Sequence, residues 1–453
     1  MENDDDIGKT NENKETDEES IRESPDKPID ASPDESPPDG VGGRFSNIFS
    51  EYARIIKIKN VWIMGLSLFL LITFVSSWLF LLPLFLRNLG ALKEEIGTAY
   101  LFFVLAFSVF QIPGGYIADK IGRKKIIAYP TLILPPIYIA AGLVDNWVIV
   151  MAFLTLGNLI QGIQIPALYS LMAESVDEDD RGLGFSILEI SLALGFTAGP
   201  LMGFFILRNP GMLEEIVGKY LPGGNPIQLM MIMTGIILIP CALLRLFGLK
   251  DSAKHEDFKV NIGQVLKAFD SNLILLLISF IFYGLMVDMT FYGPFIPLYA
   301  KDYIKISESS IQMMFALGGF FAVFFNIISG KLTKMMGSRK AMIVGVLGHS
   351  LLFIPWLFAG NLFEAAALYI PTYIFLQLSY ISHDTIMSDL TDIRTRSTVI
   401  GVFFMVPGII ASFSPQIGAQ MSNYFGPATP FVIAIIFAVL TVVYLLMIKS
   451  DRI

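Results

Sequence analysis

The sequence predicts an all-α membrane protein: twelve transmembrane helices in two pseudo-symmetric six-helix bundles. Three observations carry this. The 453 residues are 54% hydrophobic and only 16% charged, against about 25% charged in a soluble domain. Twelve apolar stretches each supply the roughly 20 residues that a membrane helix needs. A charged string between two of them, Gly115-Tyr-Ile-Ala-Asp119-Lys-Ile-Gly122-Arg123-Lys124-Lys125, returns 215 residues later as Gly330-Lys-Leu-Thr-Lys334-Met-Met-Gly337-Ser-Arg339-Lys340.

The chain begins with a polar segment. Residues 1–43 hold 15 acids and 4 bases, while the rest of the chain is slightly basic. Few large apolar residues accompany that charge, so the segment is expected to be a disordered acidic cytoplasmic tail. It lacks the basic and apolar regions of a signal peptide. A solvated tail and a regulatory or partner-binding tail both remain open.

The apolar stretches follow in order. Spans 1 to 6 are near 60–86, 95–118, 125–144, 147–173, 182–207 and 228–248. Spans 7 to 12 are near 272–299, 309–332, 340–359, 362–387, 398–423 and 428–448. Pro83, Pro113, Pro135, Pro136, Pro166 and Pro200 lie inside them, where a bundle turns prolines into kinks and close crossings. The loop 208–227 is expected to carry a short helix capped by Pro222-Gly223-Gly224. A polar linker, 249–271, joins a first bundle at 44–248 to a second at 272–453. Val260, Val265, Leu266 and Phe269 give the linker a mildly amphipathic piece. The single cysteine, Cys241, cannot make an intrachain disulfide.

Lys and Arg set the expected orientation. With the N-terminus inside, the inner loops and flanks carry about 22 bases, the tail left out. The outer side carries Arg87, Lys93, Arg208, Lys219, Lys301 and Lys305. Both termini are therefore expected in the cytoplasm.

The offset of 215 extends beyond the charged string. It pairs Glu174 with Asp389, Asp177 with Asp392, Arg181 with Arg396, and Gly199-Pro200-Leu-Met-Gly203 with Ser414-Pro415-Gln-Ile-Gly418. Two halves of like topology that rock against each other are the architecture of a transporter.

Charge inside a membrane span is costly, so each such residue is a functional candidate. Asp288 sits near the middle of span 7, with Tyr292, Phe295 and Tyr299 following on the same helical face. That stripe suits a cationic or amphipathic substrate, or a proton carrier. A structural acid bonded to a neighbouring helix is the alternative. Glu189 lies about two turns into span 5, either as a protonatable group in the cavity or as a wet residue near its mouth. Asn158 and Gln161 on span 4, with Gln164 beside them, suit either a substrate path or helix-to-helix bonding. The His383-Asp384 pair fits packing or gating better than catalysis, because no nucleophile or ligand set accompanies it. Trp78 faces the cavity, the lipid or the core. No arginine is placed in the cavity.

The six-plus-six repeat with Gly115, Asp119, Gly122, Arg123 and Lys124 between spans 2 and 3 resembles the major facilitator superfamily over roughly residues 55–450. The resemblance implies that fold, with Asp119 capping span 11 near Ser397. It also implies that Arg123 pairs with Glu174 or Asp177, in a gating set that includes Arg181. Lys334 replaces Asp119 in the second copy, so the second latch is expected to be weak. Gly195-Phe-Thr-Ala-Gly199-Pro200-Leu-Met-Gly203 resembles the span-5 string of drug:proton antiporters, with Phe204 where that branch has a further glycine. Its small residues are expected to bring spans 5 and 8 together. In span 4 the branch's arginine is replaced by Asn158.

These features together predict a secondary active transporter working by alternating access, not an enzyme. Proton-coupled export of hydrophobic or amphipathic small molecules leads. A symporter or facilitator for sugars or other metabolites is the alternative, and a lipid enzyme using His383 or a sensor is more remote. No nucleotide-binding string of the G-x-x-x-x-G-K-[ST] kind is present. Expected partners are a small-molecule substrate, protons or another coupling ion, and the lipid bilayer of the plasma membrane. No cofactor, metal or nucleic acid is expected, and the resemblance implies a monomer.

Overall fold

A computed structural model describes residues 50–177, 180–209, 211, 224–251, 269–390 and 396–449, without the side chains of 327, 388, 389 and 396–400. The tail 1–43, Pro222-Gly223, the linker residues Val260, Val265 and Leu266, Asp392, and the side chains of Asp389 and Ser397 lie outside the described residues.

No strand occurs among the described residues, and 11 helices are long and apolar enough to cross a membrane. Span 9 is the twelfth. It is split into Ser338–Leu351 and Phe353–Trp356, together rising about 28 Å.

Three more spans are broken. Span 1 is Lys59–Leu79 then Leu82–Asn88. Span 7 is Ser271–Thr290 then Phe295–Asp302. Span 11 is Arg396–Ala411 then Ser414–Phe425. One cause accounts for all four breaks. Each first helix ends four residues before a proline, at Leu79 before Pro83, Thr290 before Pro294, Leu351 before Pro355 and Ala411 before Pro415. Proline has no N–H for the carbonyl four residues back, and its ring crowds that carbonyl. Pro113, Pro166, Pro200 and Pro371 sit inside helices that continue.

The packing repeats with a shift of six spans. Span 1 packs on 5 and 6, and span 7 on 11 and 12. Spans 2 and 3 pack on 4, as 8 and 9 pack on 10. Span 3 also meets 6, as 9 meets 12. Between the halves, span 5 meets span 8 and span 2 meets span 11, which are the same contact seen from either half. The duplicated sequence thus folds as two copies of one helical arrangement facing each other.

The glycines of span 5 explain part of this, but not as expected. A Cβ on Gly195 would meet Ile72, one on Gly199 would overlap Ser76 and the Thr73 carbonyl, and one on Gly203 would overlap the Ser77 carbonyl. That face packs on span 1, inside its own half. Span 8 is reached only at the end of the string, where Gly203 faces Gln312, and through its own Gly319 against Phe196 and Thr197.

Candidate functional site

Asp288 is in the last turn before the break in span 7. The residue is 8% exposed, and among the described residues its carboxylate has neither a hydrogen bond nor an ion pair. Gly293 turns back so closely on the Asp288 carbonyl that a side chain there would overlap it. Tyr292 occupies the break, is 43% exposed, and meets Tyr380 of span 10 hydroxyl to hydroxyl. It also faces both Asp288 and Glu189 electrostatically.

The expected stripe does not continue beyond that point. Phe295 and Tyr299 belong to the separate helix that follows the break. Phe295 is buried against Gly418 of span 11. The Tyr299 hydroxyl donates to the Leu357 carbonyl at 2.8 Å, and its ring packs on Trp356 and Phe431. Helical spacing placed them beside Asp288 only while the helix was taken as continuous.

Glu189 on span 5 is exposed and accepts a 2.7 Å hydrogen bond from the Tyr169 hydroxyl of span 4. Asp384 of span 10 lies within electrostatic reach of it. His383 is stacked on Phe280 with centroids 3.5 Å apart, and its Nδ1 is 2.8 Å from Asp384. Acids from both halves therefore face a common space, with tyrosines between them. Among the described residues no Lys or Arg pairs with any of the three carboxylates.

The amides of span 4 bond to their neighbours. Asn158 donates to the Phe103 carbonyl at 2.7 Å and Gln161 to the Tyr138 hydroxyl at 3.0 Å. Gln164 donates to the Ile127 carbonyl and to Thr131, both at 2.9 Å. Trp78 is core, its indole N–H donating to Thr234 at 3.0 Å.

At the base-rich end, Arg123 pairs with Glu174 and lies 3.4 Å from Asp119. Asp177 is exposed, and the Arg181 Nε donates to the Ala173 carbonyl at 3.4 Å. Asp251, just after span 6, accepts from the Lys124 N–H at 3.2 Å and so caps the start of span 3. In the second copy Arg339 instead donates to the Ile448 carbonyl at 2.8 Å.

The family model of the Major Facilitator Superfamily matches residues 61–292 and 276–452, almost the whole chain after its acidic segment. The chain belongs to the major facilitator superfamily. It is a multi-pass membrane transporter and not an enzyme. It is 23% identical to the quinolone resistance protein NorA of Staphylococcus aureus over 269 residues, 59% of this chain and 66% of that one. It is also 23% identical over 388 residues to the MFS-type transporter MJ1317 of Methanocaldococcus jannaschii, covering 81% of this chain and 91% of that one. Among solved structures, a bacterial homologue of the human lysosomal transporter Spinster, inward-facing and occupied, superposes with a TM-score of 0.69 at 16% identity, covering 88% of this chain and 97% of that one. The nucleoside transporter NupG gives 0.68 at 15%, covering 86% and 98%. At identities this low the superpositions establish the fold alone.

Sequence reasoning missed several groups of this facilitator-superfamily transporter. Arg245, counted with the flanks of span 6, is 3% exposed. It donates to Ser67 at 2.8 Å and Thr131 at 3.0 Å, with no acid beside it. So a buried arginine does exist, in the core of the first half. Tyr169 and Tyr380 were not singled out because tyrosine is common in spans. Arg87 and Asp302 passed as loop charges, although they pair across the halves.

Proposed function

We propose that this transporter works by alternating access and exports hydrophobic or amphipathic small molecules, cations foremost, in exchange for protons. Asp288 carries the reading. A buried carboxylate without a partner has to hold either a proton or a cation, because an isolated charge in a low-dielectric site is costly. A group that accepts one or the other, never both, is what an exchange mechanism needs. Glu189 and Asp384 give the exposed part of the same space its negative charge, and Tyr169, Tyr292 and Tyr380 offer aromatic faces to a cation. The similarity to a quinolone resistance protein supports export of a foreign compound.

In this reading the base-rich end is cytoplasmic with both termini, and the transporter acts in the plasma membrane as a monomer built from bundles 44–248 and 272–453. The gating set of Gly115, Asp119, Gly122, Arg123, Lys124, Glu174, Asp177 and Arg181 closes the cytoplasmic end, with Asp119 capping span 11. Asn158, standing where the antiporter branch has arginine, supports the alternative of a metabolite symporter or facilitator.

The test is drug susceptibility of an efflux-deficient bacterium expressing the protein or its Asp288→Asn variant, against cationic, neutral and anionic compounds. Resistance to several lipophilic cations, lost in the variant, is expected. With folded protein present in the membrane, no resistance to any compound removes the export reading and favours metabolite transport.

A further inference from the structure

The end of the molecule opposite Arg123 holds a contact that the gating motif does not explain. Arg87 Nη1 lies 2.7 and 2.6 Å from the two carboxylate oxygens of Asp302. Arg87 is in the last turn of Leu82–Asn88, and Asp302 ends Phe295–Asp302. These are the outer pieces of spans 1 and 7, each set free from its span by a proline.

The two residues are 215 apart in sequence, which is the repeat offset. The prolines that break the same two spans, Pro83 and Pro294, are 211 apart, so Arg87 and Asp302 are near-counterparts, offset by about one helical turn. Residues of like helices that meet this close to register lie near the axis relating the two halves. The two helix ends carry opposite charges, so their meeting is attractive.

Behind this pair the barrier is aromatic and also comes from both halves. Phe80, in the break of span 1, stacks on Phe315 of span 8 at 4.1 Å and meets Phe291, in the break of span 7, edge-on at 6.0 Å. Phe196 of span 5 is 6.1 Å from Phe80. Beside them the Gln312 amide donates to the Ser77 carbonyl at 2.5 Å. Phe80, Phe291 and Phe315 are buried, whereas the next residue, Tyr292, is open. The barrier therefore ends at the acidic space.

We infer that Arg87 and Asp302 form a latch between the two halves, near their pseudo-two-fold axis, that holds this end of the cavity shut over the aromatic barrier and parts in each transport cycle. Each side chain is about a third exposed, so water can take the place of the partner when the latch opens. The breaks at Phe80–Leu81 and Phe291–Pro294 are the hinges on which the two outer helices move. The position is specified by charge opposition and not by the identity of each charge, so exchanging the two should preserve it.

The test uses full-length protein with Cys241→Ser and a reporter cysteine at Leu81, which is fully buried beneath the latch. In lipid nanodiscs a thiol reagent reaches both ends, so neither the orientation in a cell nor the substrate enters the result. Slow labelling is expected with the native pair. Arg87→Asp or Asp302→Arg alone should raise the labelling rate by about fivefold or more, and the double exchange should return it toward the native rate. Arg87→Gln and Asp302→Asn, which remove charge without reversing it, should move it in the same direction as the reversals. Single variants that label no faster, or a double exchange that labels as fast as the singles, would overturn the latch.

Discussion

Gly199→Ala is expected to destabilise the protein, although alanine is the better helix former. A methyl group on Gly199 would overlap Ser76 Oγ and the Thr73 carbonyl of span 1. The Ser76 hydroxyl also donates to the Gly195 carbonyl at 3.0 Å, a bond that ties the same two helices. Alanine gains about 1 kcal/mol over glycine in a helix interior. Overpacking costs about 1–3 kcal/mol where side chains can yield. Here the obstacle includes a backbone carbonyl of the facing helix, which yields only if the helices separate and the Ser76 bond is lost, about 1 kcal/mol more. The net effect should be a loss of about 1–3 kcal/mol. Gly330 is the control, because it is interior to its helix and nothing lies within 4 Å of its added Cβ. Gly330→Ala should stabilise by about 0.5–1 kcal/mol. Thermal unfolding of both variants in one detergent reads the opposite signs. A Gly199→Ala protein as stable as the native one would refute the close approach of spans 1 and 5.

Other perturbations follow from single contacts. Arg245→Met should leave the unfolding temperature nearly unchanged, within about 1 kcal/mol, because it removes an uncompensated buried charge and leaves the donors of Ser67 and Thr131 bonded to Met64 and Ile127. Arg245→Ala opens a void and should cost about 2–5 kcal/mol in the same assay. Tyr169→Phe takes the hydrogen bond from Glu189 and should weaken substrate affinity about twofold to tenfold without changing the unfolding temperature. Glu174→Gln breaks the pair with Arg123, which is partly exposed and worth at most about 1 kcal/mol. Transport should slow more than stability falls, and equal losses in both would make the pair merely structural.

Much of the fold was legible because the length and apolarity of a span are local properties of the sequence. The breaks were not. Pro83 and Pro200 look alike in sequence, yet one ends a helix and the other sits inside one that continues. Neighbouring helices decide whether the freed carbonyl is satisfied again, and that information lies elsewhere in the chain. The cost of missing the break in span 7 was the misplacement of Phe295 and Tyr299. Asp288 stood out because an acid within an apolar run is rare. Arg245, near the end of its span, reads as a flank. Only partners 178 and 114 residues away show that it is buried.

The two copies have diverged unevenly, and the pattern separates scaffold from device. Asn60, near the start of span 1, donates to the Lys250 carbonyl at 3.0 Å and accepts from the Lys250 N–H at 2.9 Å. Asn272, near the start of span 7, does the same to Lys449 at 3.2 and 3.1 Å. An asparagine amide satisfies both groups of one peptide residue after the sixth helix of each half. This clamp survives in both copies because it serves the fold of each half separately. Asp119 against Lys334 has not survived as a pair of equals. The difference is one of charge, at the base-rich end where Arg123 pairs with Glu174. A charge that serves only its own half has little reason to change sign between copies, and in the gate proposed above Asp119 serves the other half. Divergence at this position, beside conservation of the clamp, is what selection on opening and closing would leave in a duplicated chain.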